Sequence, residues 1–140
     1  MLIIRPVEDK KQQEEFCQLC GIPYLAKDFA YAAYVDGEFA ALSQFHVTDE
    51  CGYLDHLTPA PNKHDVEAMF ILGRQTLNWI DLLGLHTCRT TVNAGNEKLL
   101  HVLGFIQKEN YLVADMTHMF DGHCSGNCDI ASQLREIETI

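Results

Sequence analysis

The sequence predicts an α/β chain, a mixed sheet of the α+β kind flanked by helices, and three observations carry that reading. Apolar stretches with a period of two residues alternate with stretches whose apolar residues recur at helical spacing. Asp36-Gly37 sits between two alternating arms, which is the strongest short-range signal for a hairpin. A segment from Asp65 to Leu83 repeats Val66, Met69, Phe70, Gly73, Leu77 and Ile80 on one face, as a long buried helix does.

Taken in order, Met1–Val7 reads as a strand ending at Arg5-Pro6. Asp9–Cys20 reads as a helix with Phe16, Cys17 and Cys20 on its apolar side and Gly21 as its stop. After a loop through Pro23, Tyr31–Val35 and Glu38–Val47 form the two arms of the hairpin. Gly52–Leu57 is a further strand, broken off by Thr58-Pro59-Ala60-Pro61-Asn62. The long helix follows and is closed by Gly84. Thr87–Val92 is a β-branched strand, Asn96–Leu103 a short helix closed by Gly104, and Phe105–Gln107 and Tyr111–Met116 two last strands. The order is β-α-β-β-β-α-β-α-β-β. Residues 1–118 read as one domain, and 119–140 as a C-terminal tail containing cysteine and histidine.

At 140 residues, with 47% hydrophobic and 21% charged side chains, the chain can bury a full core and is not of disordered composition. Its formal charge of −10 repels phosphate backbones and anionic lipid, and no basic stripe offsets it, so neither nucleic acid nor membrane is an expected partner. No apolar run approaches the roughly 18 residues of a membrane span. The N-terminus lacks the pattern of a secretory signal, so the expected location is cytoplasmic, where thiols stay reduced. Cys51 and Cys88, on apolar segments, read as small buried hydrophobes.

Two local sequences resemble the GNAT superfamily of acetyl-CoA-dependent N-acetyltransferases. Val92 to Phe105 is similar to the family's strand followed by Asn-x-x-Ala-x-x-Leu-Tyr-x-x-Leu-Gly-Phe, with Asn93, Leu99 and Leu103-Gly104-Phe105 on matching positions. Tyr53-Leu54-Asp55-His56-Leu57 with Pro61 and the helix ending Leu82-Leu83-Gly84-Leu85 is similar to the strand, pyrophosphate loop and helix at the centre of that fold. The resemblance covers residues 1–117. It implies acetyl-CoA as co-substrate and a small-molecule or peptide amine as acceptor. It also implies that the backbone of Leu57, Thr58 and Pro59 meets the pantetheine arm, that His64 and Val66 flank the pyrophosphate, and that Asn93 lines the cleft. The family's Arg-Gly-x-Gly-x-Gly/Ala loop falls on His64–Met69, where Asp65, Glu67 and Met69 replace the small residues and His64 the arginine. A pyrophosphate needs free N–H groups at a helix start and close backbone approach. Asp65 equally reads as an N-cap with Glu67 supporting the first turn.

Acyl transfer to an amine needs a base, donors for an oxyanion and an acid for the thiolate. Asp55 and His56 on the central strand are candidates, and strict alternation sends one to each sheet face. His101 is a third, about 100° around the short helix from Leu100, which stands where the family has its tyrosine. In the tail, His123, Cys124 and Cys128 have spacing that suits Zn²⁺, with Cys17 and Cys20 to complete the set; a redox pair and an inert tail remain open alternatives. The expectation is an N-acetyltransferase, weak or inactive if the altered loop has lost acetyl-CoA. The alternative is a non-catalytic binding module with a metal- or redox-sensitive tail. The orientation of Asp65 and Glu67 discriminates between them. A homodimer is compatible with either.

Overall fold

A computed structural model describes residues 1–120. Among them the element order is the expected one: β1 (Leu2–Pro6), α1 (Lys10–Cys20), β2 (Phe29–Val35), β3 (Glu38–Val47), β4 (Gly52–Pro59), α2 (Val66–Leu82), β5 (Thr87–Thr90), α3 (Glu97–Leu103), β6 (Phe105–Lys108) and β7 (Tyr111–Asp115). The helices start where capping chemistry puts them. The carboxylates of Asp9 and Asp65 accept from Lys11 N–H and Ala68 N–H, and the Asn96 side chain accepts from Leu99 N–H. Gly21 closes α1 at a φ of 72°, a left-handed conformation in which its N–H and the next return to the last carbonyls.

The strands form one mixed sheet in the order β1-β2-β3-β4-β5-β7-β6. Every pairing is antiparallel except β4–β5, which α2 crosses over to make parallel. One side of β3 presents Ala41, Ser43 and Phe45 to the larger core, shared with Leu54, Leu57, Leu72, Leu77, Ile80, Leu99, Leu100 and Leu103. The other side presents Leu42 to a smaller core with Phe16, Cys17, Ala30 and Ala32. Burying each large side chain contributes about 1.5–3 kcal/mol, so the sheet is held from both faces. Cys51 and Cys88 are buried, as expected of small hydrophobes. Met119 and Phe120 pack against the larger core.

β2 begins two residues before its expected start, at Phe29, and β4 and β5 each end two residues from where the sequence places their ends. β4 runs on through Thr58 and Pro59, because Leu42 and Ala41 of β3 continue to pair with them and Pro59 needs no N–H on its outward edge. β5 stops at Thr90 instead of Val92. Its parallel pairing with β4 covers only Gly52–Leu54, after which the two strands diverge and Val92 turns outward, 42% exposed.

Candidate functional site

The register of β3 against β4 shifts between Gln44 and Phe45: Gln44 faces His56, whereas Phe45 faces Leu54, leaving Asp55 as an extra residue. Such a bulge turns two successive side chains toward the same side of a sheet. Leu54 and Leu57 therefore both enter the larger core, while Asp55 and His56 both meet side chains on the opposite face, Asp55 with His46 and His56 with Gln44. The expectation that alternation would separate Asp55 from His56 is corrected by this bulge.

Beyond the last β4–β5 pair lies a cleft of about 730 Å³. His56, Leu57, Thr58 and Pro59 form one wall, His64, Val66 and Met69 at the start of α2 another, and Asn93 to Asn96 a third. It thus gathers His56, Leu57, Thr58, Pro59, His64, Val66 and Asn93 into one place. Asp55 and His101 are not among its lining residues; His101 lies on the exposed side of α3. His123, Cys124 and Cys128 lie outside the described residues.

The edge of β4 that faces the cleft is already engaged. Leu57 N–H donates to Ala94 carbonyl at 2.8 Å, and Pro59 has no N–H. A Cβ on Gly95 would stand 2.6 Å from Leu57 carbonyl oxygen, so only glycine lets this turn approach the strand so closely. At the α2 start, Asp65 folds back onto Ala68 N–H at 2.9 Å, leaving the N–H groups of Val66 and Glu67 without a partner among the described residues. Neither Asp65 nor Glu67 lines the cleft. Asp65 instead borders a shallower depression beside Lys63 and Glu38, which pair at 2.7 Å. Among the described residues no lysine or arginine lines the cleft, and its titratable groups are His56 and His64.

His56 is oriented by a buried amide network. Gln44 Oε1 accepts from Gln13 Nε2 at 2.9 Å and from Leu25 N–H at 3.1 Å, which fixes which end of the amide is which. Gln44 Nε2 then donates to Pro23 carbonyl at 2.9 Å and meets His56 Nδ1 at 3.0 Å. With an N–H directed at it, Nδ1 is the acceptor and Nε2 carries the proton. Charging the ring would set a second donor against the amide, and burial pushes the His56 pKa down from 6.5 in the same direction. His56 is therefore a neutral hydrogen-bond donor. Sequence reasoning missed Gln13 and Gln44, although Gln44, beside Ser43 in the largely apolar run Ala40–Phe45, was the available signal, since a buried amide requires partners.

No family model and no curated protein matches the sequence. Solved structures do match in shape. The PaiA N-acetyltransferase of Thermoplasma acidophilum, in complex with coenzyme A, superposes with a TM-score of 0.66 at 13% identity, over 82% of this chain and 99% of that one. The chain has the GNAT fold. The ribosomal-protein-S18-alanine N-acetyltransferase of Escherichia coli gives 0.69 at 15% identity, over 88% of this chain and 99% of the other. The N-acetylglutamate synthase of Neisseria gonorrhoeae, complexed with coenzyme A and N-acetyl-glutamate, gives 0.68 at 14% identity, over 84% of this chain and 36% of that one. Identity this low carries the GNAT fold alone.

Proposed function

We propose that the chain is an N-acetyltransferase that takes its acetyl group from acetyl-CoA and delivers it to an amine, small or peptide-borne. The observation that carries this reading is the cleft at the β4–β5 divergence, from which Asp65 and Glu67 are both absent. The α2 start reaches the cleft at Val66, whose N–H is open to a phosphate, with His64 alongside. The pantetheine arm lies along β4, received by carbonyl oxygens and by Thr58 and Asn93 rather than by Leu57 N–H. Coenzyme A was bound in the PaiA and N-acetylglutamate synthase structures, which share the fold.

In this reading a neutral amine nitrogen attacks the thioester carbon, the C–N bond forms, the C–S bond breaks as the thiolate leaves, and the proton the nitrogen loses passes through water to that sulfur. Charge develops on the carbonyl oxygen in between. His56 Nε2–H donates to that oxygen, and the Gln44 network holds the proton there without needing to move it. Asp55 is tied to His46 at 2.6 Å and supports the bulge that presents His56. His101 remains outside the cleft.

The test is calorimetric titration of acetyl-CoA with a melting curve in parallel, followed by mass spectrometry of candidate amines incubated with the pair. Ligand at about 100 times its dissociation constant adds about 2.7 kcal/mol of stability, so binding appears as a raised melting temperature. His56→Ala is expected to keep binding and lower turnover by about 10²-fold. Absence of heat and of a melting shift at millimolar acetyl-CoA overturns the reading.

A further inference from the structure

On the same side of the sheet as His56, but not among the residues lining the cleft, three side chains from three segments converge. Asp28 precedes β2, His46 lies on β3 and Asp55 is the bulge residue of β4. One ligand atom from each lies within 4.8 Å of the others. His46 Nδ1 stands 2.6 Å from Asp55 Oδ2 and 3.6 Å from Asp28 Oδ1. The second observation is on Asp28 itself. The residue is only 5% exposed, yet its Oδ2 has no hydrogen-bond partner among the described residues. A buried carboxylate oxygen without a partner is costly, and its carboxyl faces that of Asp55.

We propose that Asp28, His46 and Asp55 bind a divalent first-row transition cation. Two carboxylates and one imidazole are the mixed hard and borderline donors such ions take, whereas Mg²⁺ prefers oxygen alone. Metal bonds of about 2.0–2.2 Å put neighbouring donors roughly 3–3.5 Å apart, so His46 and Asp55, now 2.6 Å apart, must open by roughly 0.5–1 Å, while His46 and Asp28, at 3.6 Å, need only a slight closure. His46, 39% exposed, and Asp55, 24% exposed, leave an entry path and room for water ligands. Lys10 is held at the Asp28 backbone carbonyl and by Gln13, so its ammonium partly offsets the two carboxylates. A bound ion pins the loop before β2 to β3 and β4, and so steadies the bulge. The inference is independent of acetyl transfer.

The experiment uses the full chain, stripped with chelator and kept reduced, titrated with Mn²⁺, Co²⁺ and Zn²⁺ and with Mg²⁺ as control. Binding is read by calorimetry and by Mn²⁺ broadening of the His46 imidazole resonances. A Cys124→Ser/Cys128→Ser variant separates this site from thiol binding in the tail. One equivalent is expected in both proteins, weakened by about tenfold or more in His46→Gln and in Asp55→Asn. Each variant is first checked for an unchanged fold by melting in chelator. No saturable binding of Mn²⁺, Co²⁺ or Zn²⁺ overturns the proposal, and leaves a proton shared between the two carboxylates. Binding that survives both substitutions, or that vanishes with the tail cysteines, overturns it as well.

Discussion

Gln44 decides more chemistry than any charged residue in the cleft. Its amide is oriented by two donors on one side and a carbonyl on another, and that orientation fixes the tautomer of His56. Gln44→Leu leaves the buried Gln13 amide and the His56 ring without these partners. It is expected to cost about 1–3 kcal/mol in urea unfolding, read from the denaturation midpoint. A pH prediction follows from the same ring. The folded pKa of His56 lies below the unfolded value of 6.5, so between the two the unfolded chain binds the extra proton. Stability from this group is complete above about 6.5 and declines as pH falls below it. Urea midpoints in chelator at pH 7.5 and pH 5 are expected to diverge less in His56→Gln than in the wild type. At this scale the sequence showed which residues were available, and Asp65 caps α2 as its type and position indicated. It did not show Gln44 or Gln13, because a buried amide's partners come from three separate segments.

Among the elements, β4 is where local pattern and tertiary structure part. The ten elements of the described residues stand in the order that periodicity and turn residues indicate, with Asp36-Gly37 at the β2–β3 turn and glycines at the helix ends. The bulge was not legible. An alternating pattern carries no mark of where a partner strand slips, and the extra residue at Asp55 exists only in the register with β3. The splaying of β4 from β5 is likewise a tertiary event, enforced by the turn around Gly95. Gly95→Ala places a methyl group against the Leu57 carbonyl, which is backbone and cannot turn aside. The turn must lift, the Leu57–Ala94 hydrogen bond is lost, and stability is expected to fall by about 1–3 kcal/mol. The denaturation midpoint checks this, and a weaker acetyl-CoA titration in the same variant ties the turn to the cleft.

For the whole molecule, the net charge of −10 sets the sign of a salt effect. A polyanionic ligand approaches an acidic surface and enters a cleft lined, among the described residues, by no lysine or arginine. Added salt screens that repulsion. Acetyl-CoA binding is therefore expected to tighten by roughly two- to fivefold between low and physiological ionic strength. Titrations at several NaCl concentrations decide it, and weakening with salt would point to a basic phosphate contact instead. The sequence by itself determined the elements, their order and the GNAT resemblance, because hydrophobic period, caps and turn residues act over a few neighbours. It also marked most of the residues that now line the cleft. Only the tertiary structure decided which of those residues face one another. The bulge set Asp55 beside His46 and Asp28, and the glutamine network made His56 a donor. Those outcomes depend on strand register and on contacts between segments distant in the chain, which no local pattern encodes.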